Sequence, residues 1–188
     1  MSKENLTAAE AMDKLKEGNQ RYLTSNTNPG DVSPQLRQLT CDEGQSPYAI
    51  IVTCSDSRVI PESIFSAGIG ELFVIRVAGN VMDHHQIGSV EYAADHLGSP
   101  LVVVLGHSHC GAVDAAMHHE PGGYVKYITD EIRKAIGDEK DELCACRLNV
   151  ERSVSVIKES LKLKDGDDGL KVCGAIYHID SGSVEFLD

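Results

Sequence analysis

Three side chains that suit zinc occur in two short segments of this 188-residue sequence. Cys54 opens the segment CSDSR at 54–58, and His107 and Cys110 lie in GHSHCGAV at 106–113. Cysteine thiolates and histidine nitrogens are good zinc ligands. A structural zinc site normally has four protein ligands, whereas three ligands leave one position for water or substrate. The sequence therefore predicts one zinc ion per chain that takes part in chemistry.

Asp56 and Arg58 follow Cys54 closely and are the next candidates. A separation of two residues lets them meet across a tight turn, where a two-point ion pair keeps the carboxylate ionised and fixes its orientation. Asp56 is then expected to accept a hydrogen bond from water on the zinc. In a closed form of the site, Asp56 would instead bind zinc as the fourth ligand. A plain surface ion pair, worth about 0–1 kcal/mol, is the simplest alternative.

Four short apolar runs are expected to be the strands that position these residues. They are mostly rich in β-branched residues and do not alternate cleanly, which is typical of strands buried on both faces. The runs lie at 48–53, 72–77, 101–105 and 172–179, and helical patterns lie at 7–22, 87–97, 124–136 and 148–161. This order predicts an α/β fold with a mainly parallel central β-sheet flanked by helices.

The predicted ligands directly follow two of these strands. Cys54 comes after the first run, and His107 comes after the third. Open parallel sheets bind ligands at the carboxyl ends of their strands, where the strand order reverses. If the first and third strands are neighbours there, Cys54 and His107 face each other.

Composition restricts the partners. The sequence has 17 Lys and Arg residues against 29 Asp and Glu residues, a formal net charge of −12, which repels nucleic acid and anionic membranes. No apolar run reaches the roughly 18 residues of a membrane span. The polar N-terminus predicts no signal peptide, and the six cysteines fit a reducing cytoplasm. We expect one cytoplasmic domain over 1–188, with 1–33 as an N-terminal helical arm.

The two zinc-ligand segments together resemble the β-class carbonic anhydrases. Both CSDSR at 54–58 and GHSHCGAV at 106–113 are similar to the metal motifs of that family. The resemblance extends over nearly the whole chain. Further similar stretches are LKEGNQRY at 15–22, ELFVIRVAGN at 71–80, GAIY at 174–177 and VEF at 184–186.

The resemblance implies a zinc lyase that hydrates carbon dioxide reversibly to bicarbonate and a proton, by attack of zinc-bound hydroxide. It implies that Cys54, His107 and Cys110 are the zinc ligands and that Asp56 and Arg58 are catalytic. Gln86 and Gly111 are further candidates for binding the substrate. Members of the family form homodimers or larger assemblies of dimers, so the N-terminal helix is expected to pack on a partner subunit. The glutamine that Gln86 matches often reaches the site of a partner subunit, and the sequence leaves open whether Gln86 reaches its own site or a partner's.

One departure bears on regulation. A regulated subclass of that family carries Trp three positions before the first cysteine ligand and Gly directly before it, where this sequence has Ile51 and Thr53. Val59 and Arg76 do match other residues of that regulatory pocket. We predict that the resting site is open, with Asp56 held by Arg58 and not bound to zinc.

Two other functions use the same ligands. A hydrolase of carbonyl sulfide or carbon disulfide would need the same zinc site and would differ only in pocket shape. A non-catalytic zinc protein would have no use for the Asp56–Arg58 pair. Elsewhere, Cys41 and Cys173 are interpreted as buried thiols, and the charged segment 165–169 as a loop.

Overall fold

A five-stranded sheet forms the centre of the computed structural model, which describes residues 6–25, 27, 30–163 and 169–187. The strands are β1 (Ala49–Thr53), β2 (Leu72–Arg76), β3 (Leu101–His107), β4 (Lys171–Tyr177) and β5 (Val184–Leu187). Their order in the sheet is β2-β1-β3-β4-β5. The first four are parallel, and β5 pairs with β4 in an antiparallel hairpin. The predicted α/β class and mainly parallel sheet are confirmed.

Seven α-helices connect or flank the described strands. They are α1 (Ala8–Thr24), α2 (Pro34–Glu43), α3 (Pro61–Ile64), α4 (His84–Leu97), α5 (Gly111–His118), α6 (Val125–Ile136) and α7 (Glu142–Ser160). A short 3₁₀ turn spans Ala78–Asn80. The sequence pattern predicted α1, α4, α6 and most of α7, but it did not predict α2, α3 or α5.

The sheet is buried on both faces because its strands carry apolar residues at successive positions. Ile50 and Val52 of β1 pack in a layer formed with helices α4 to α7. Ile51, between them, packs in the opposite layer with α1 and α3. Every residue of β3 is buried. Strands β1 and β3 are therefore fixed between two layers of helices. Their carboxyl ends hold the residues that follow them in fixed positions.

The N-terminal helix α1 packs on its own chain. Thr7 and Glu10 form a capping box at its start, and Ala11 and Leu15 are fully buried against the sheet. Packing of this helix on a partner subunit stays a prediction. Positions 1–5, 26, 28 and 29 of the predicted helical arm and positions 165–168 of the predicted loop lie outside the described residues. Within the described ranges, no helix has the length and apolar character that crossing a membrane requires.

Candidate metal centre

The carboxyl ends of β1 and β3 bring the first two predicted ligands together. The strands are neighbours, with Thr53 of β1 in register with Leu105 of β3. The Thr53 hydroxyl donates a hydrogen bond to the Leu105 carbonyl oxygen at 2.7 Å, which joins the two strand ends. Cys54 follows β1 and His107 ends β3, so the expectation that these two residues face each other is confirmed.

Cys54, His107 and Cys110 form a compact group of metal-binding atoms. Their ligand atoms all lie within 4.8 Å of one another, and it is the only such group of three among the described His, Cys, Asp and Glu residues. The exposed fractions are 5%, 1% and 2%. The Nε2 atom of His107 is buried and has no hydrogen-bond partner among the described residues. Because a buried polar nitrogen without a partner is costly, this donor set fits a zinc ion.

The other ring nitrogen of His107 is held by the residue that follows it. Nδ1 lies 2.9 Å from the Ser108 carbonyl oxygen, which leaves Nε2 facing the two sulfur atoms. Ser108 is itself anchored to the β4–β5 hairpin: its N–H donates to the Tyr177 carbonyl at 3.0 Å, and its hydroxyl accepts from the Ile179 N–H at 3.0 Å. Such a second hydrogen bond sets the tautomer and orientation of a metal-binding histidine.

The two thiols share a hydrogen bond, which favours the thiolate of Cys54 over that of Cys110. The pKa of Cys54 is lowered to about 4, first because Cys110 hydrogen-bonds to its sulfur, with further contributions from His107 and from the Gly79 N–H. The Gly79 nitrogen lies 3.2 Å from the Cys54 sulfur. The pKa of Cys110 is raised, first because the thiol hydrogen-bonds to the Cys54 sulfur, then because the site is buried and a second negative charge would form beside the first. A divalent cation removes this opposition, since it favours both thiolates.

Cys110 stands at the amino end of α5. The backbone N–H groups of Val113 and Ala112 favour its thiolate, as expected for an anion at a helix N-terminus. His109, which lies between two ligands in sequence, has a left-handed backbone with φ 55°. Its exposed side chain points to Glu142, 3.5 Å away. The turn of HxxC therefore aims His107 and Cys110 inward and His109 outward.

Asp56 and Arg58 form the predicted two-point ion pair. The Arg58 Nε donates to Oδ1 of Asp56 at 3.0 Å, and Nη2 donates to Oδ2 at 2.7 Å. These hydrogen bonds hold the pKa of Asp56 well below its usual value. Oδ2 also lies 3.9 Å from the His107 Nε2, so an ionised carboxylate borders the ligand group without belonging to it.

Arg76 is a site residue whose contacts the sequence did not reveal. It ends β2, and its guanidinium donates to the carbonyl oxygens of Cys54 at 3.2 Å and of Asp56 at 2.8 Å. The sequence match to a regulatory pocket suggested a different use of this residue. In the structure, Arg76 holds the loop that carries one ligand and the carboxylate.

Gln86 and Gly111, the candidates for substrate binding, occupy helix starts. The Gln86 side-chain oxygen accepts the Asp83 N–H at 3.0 Å as part of the capping box of α4, so its NH₂ group is the part that can donate to a substrate. Gly111 is exposed and begins α5. A methyl group built on Gly111 would meet nothing within 4 Å.

Two buried polar residues of α7, Asn149 and Ser153, bind the Ala78–Asn80 turn and were not predicted from the sequence. The sequence offered a clue, because the two residues are four positions apart and therefore lie on the same face of the helix as apolar residues such as Val150 and Ile157. Of the two cysteines expected to be buried, Cys41 is exposed on α2, so that prediction was wrong, and Cys173 is partly buried.

The similar proteins compared with this chain are all named as carbonic anhydrases. A sequence profile of the family described as "Carbonic anhydrase" matches residues 49–184. Carbonic anhydrase 2 of Mycobacterium tuberculosis is 34% identical over 197 aligned residues, which cover 98% of this chain and 95% of that protein. A tetrameric β-carbonic anhydrase of Sordaria macrospora superposes with a TM-score of 0.71 at 27% identity, covering 82% of this chain and 87% of that one. A β-carbonic anhydrase of Aspergillus fumigatus gives a TM-score of 0.70 at 26% identity, covering 96% and 90%.

Proposed function

The chain belongs to the β-class carbonic anhydrase family, and we propose that Asp56 and Arg58 act beside its zinc site in the reversible hydration of carbon dioxide to bicarbonate and a proton. The observation that carries this role is the ion-paired carboxylate at the edge of the buried ligand group. A purely structural metal site does not need such a group. We also infer that residues 1–188 form one domain, with 1–33 as its N-terminal helical arm.

The proposed ligands are Cys54, His107 and Cys110, which supply two thiolates and one imidazole. When bound, zinc is a Lewis acid that makes water a strong nucleophile near neutral pH. Two anionic ligands weaken that effect compared with neutral ones, and hydrogen bonds to their sulfur atoms restore part of it. The Gly79 N–H on Cys54 is one such bond. Three protein ligands leave a position for water and substrate.

Asp56 is proposed to orient the attacking group and not to take its proton. Arg58 keeps the Asp56 pKa far below neutrality, so the carboxylate is a weak base but a good hydrogen-bond acceptor. Two of its hydrogen bonds from Arg58 go to Oδ1, from the backbone N–H and Nε. Oδ2 receives only one and faces the ligand group. Oδ2 can therefore accept a hydrogen bond from the O–H of the nucleophile. This bond would orient the nucleophile so that a lone pair on its oxygen points toward the carbon of carbon dioxide.

The remaining site residues are assigned to substrate binding. We infer that the Gln86 NH₂ group donates to a bicarbonate oxygen, either in its own site or in a partner's site. Gly111 is proposed to border the space that carbon dioxide enters, because it lies next to Cys110 and has open space around its α-carbon. A larger residue there would narrow that space.

The proposed assembly is a homodimer or a larger assembly of dimers. Supporting features are helix α2, which buries no residue within one chain, and exposed apolar side chains at Ile60, near Arg58, and at Tyr92 on α4. A formal net charge of −12 supports the absence of nucleic-acid partners. We infer a cytoplasmic location because all six cysteines are free and because ligand thiols must stay reduced.

The role of Asp56 is tested by stopped-flow hydration of carbon dioxide with metal-quantified protein at mildly alkaline pH. Asp56→Asn keeps the size of the side chain but removes its charge. We expect the hydration rate to fall by at least about 100-fold, with zinc content unchanged. Asp95→Asn, at an exposed position of α4, is the matched control and should keep the wild-type rate. Wild-type hydration by Asp56→Asn would contradict the proposal. Zinc-loaded wild type without hydration would require assays with carbonyl sulfide and carbon disulfide.

A further inference from the structure

Helix α7 carries two polar side chains into an apolar layer. Asn149 and Ser153 are 2% and 3% exposed and lie on successive turns of the helix. The Asn149 Nδ2 donates to the Gly79 carbonyl oxygen at 2.8 Å, and the Ser153 hydroxyl donates to the Asn80 carbonyl oxygen at 2.9 Å. A buried polar side chain is costly unless it is hydrogen-bonded, so α7 and the Ala78–Asn80 turn are fixed to each other.

The turn itself requires such support. Gly79 has a left-handed backbone, with φ 69° and ψ 15°, which disfavours other residues. A methyl group on Gly79 would lie 2.8 Å from the Ile132 Cδ1 and 3.1 Å from the Ala112 Cβ. The backbone of Gly79 therefore lies directly against α5 and α6. The two hydrogen bonds from α7 keep it there.

This close approach places a backbone donor on a ligand. The Gly79 N–H points at the Cys54 sulfur, and the nitrogen lies 3.2 Å from it. Cys54 as a whole is only 5% exposed. A hydrogen bond to a thiolate withdraws electron density from the sulfur, which changes how strongly the sulfur donates to a metal. Residues that hold such a donor in place consequently affect the metal without touching it.

We propose that Asn149 is a positioning residue for the zinc site: by holding the Gly79 carbonyl, it keeps the Gly79 N–H on the Cys54 sulfur. The inference depends on the proposed zinc site. Ser153 holds the next carbonyl, one peptide farther from that N–H, so its effect on Cys54 is smaller. Asn149 is 95 residues from Cys54 in sequence and is neither charged nor titratable.

Cobalt-substituted full-length protein tests the proposal, because cobalt(II) reports thiolate coordination through a charge-transfer absorption band. In Asn149→Ala, the sulfur without its donor is easier to oxidise, so the band should move to longer wavelength. Zinc affinity, measured by competition with a chromophoric chelator, should fall about 10–100-fold, because the loss of a fixed ligand position and of the hydrogen bond that stabilises the negative sulfur outweighs the gain in electron density. Ser153→Ala, equally buried and also hydrogen-bonded to the turn, is the matched control and should show the smaller change in both measurements.

A purely structural role for Asn149 predicts a different result. Both variants would then lose thermal stability while keeping the wild-type band and zinc affinity, and the proposal would be overturned. Equal shifts in the two variants would also overturn it. The absence of any thiolate band in wild type would instead reject the proposed zinc ligands themselves.

A second measurement uses only the wild-type protein, so it does not depend on whether a variant folds. The protein is loaded with the NMR-active isotope of cadmium, and scalar coupling is sought between the metal and backbone amide protons. We expect coupling to the Gly79 amide, transmitted through the hydrogen bond to the Cys54 sulfur. Cadmium coupled to the cysteine side chains but not to this amide would contradict the proposal.

Discussion

The Arg58 guanidinium meets Asp56 along both carboxylate oxygens, with Nε 3.0 Å from Oδ1 and Nη2 2.7 Å from Oδ2. The same Nη2 also donates to the His109 carbonyl oxygen at 3.0 Å. Arg58 therefore joins the segment after β1 to the segment after β3. The orientation of the carboxylate beside the ligand group depends on this planar, two-point contact.

Arg58→Lys should lower carbon dioxide hydration about 100-fold with zinc content unchanged. Lysine keeps the positive charge but cannot reproduce the flat two-point contact, so Asp56 loses its fixed orientation, and a small misplacement of a catalytic group costs about this much. Stopped-flow hydration beside metal analysis measures both quantities. Arg152→Lys, at an exposed position of α7, is the control. A wild-type rate in Arg58→Lys would show that charge alone suffices.

The pH dependence of stability should reveal a second ion pair, between Arg147 and Glu185. The Arg147 hydrogen bonds, followed by that of His178, lower the pKa of Glu185 from 4.5 to about 2. Because the folded-state pKa is the lower one, the pair stabilises the fold above pH 4.5, and this contribution disappears as the pH falls toward about 2. The Glu185 side chain is 46% exposed, so solvent screening limits the effect to about 0.5–1 kcal/mol.

Urea unfolding of wild type and Glu185→Gln at a series of pH values tests this. The free energy of unfolding should differ at neutral pH and converge in acid. Acid release of the metal acts on both proteins alike and cancels in the difference. Glu91→Gln, exposed on α4, should follow wild type throughout. A difference for Glu185→Gln that is the same at all pH values would assign its cause to packing.

An added methyl group should lower the stability of the fold at one glycine of the site, Gly79, and the catalytic efficiency at another, Gly111. Gly79→Ala places an alanine in a left-handed backbone and brings its methyl group against Ile132. We therefore expect a loss of about 1–3 kcal/mol in unfolding free energy. Gly111→Ala meets no neighbour within 4 Å and should change that free energy by less than about 0.5 kcal/mol. Its kcat/KM for carbon dioxide should nevertheless fall about tenfold or more, because one methyl group narrows the proposed entry space. Unchanged kcat/KM in Gly111→Ala would remove Gly111 from the site.

The parts of this molecule that depend on local sequence were predictable. The apolar runs predicted β1 to β4 within a few residues, whereas the pairing of β1 with β3 was only a condition for bringing Cys54 and His107 together, and the structure supplied it. The helices that were not predicted have physical reasons. Helix α2 buries no residue and is mostly polar in sequence, α3 spans only four residues, and α5 is a short segment of eight residues after a ligand.

Long-range contacts of single polar residues were not predictable. Asn149 is 70 residues from Gly79, its partner, and Arg76 is 22 residues from Cys54. No periodicity or spacing relates such residues, since their contacts arise only when the sheet and α7 pack together. The hydrogen bonds that tune the ligands therefore needed the three-dimensional structure.

One zinc ion, held by Cys54, His107 and Cys110, is proposed to carry out the hydration of carbon dioxide. The role of this ion is tested most directly by removing the metal with a chelator, returning zinc in measured steps and following hydration by stopped flow. The rate should rise in proportion to zinc and level off at one ion per chain, and Cys54→Ala should stay inactive at every step. Hydration that survives complete removal of the metal, or that returns equally in Cys54→Ala, would contradict the account.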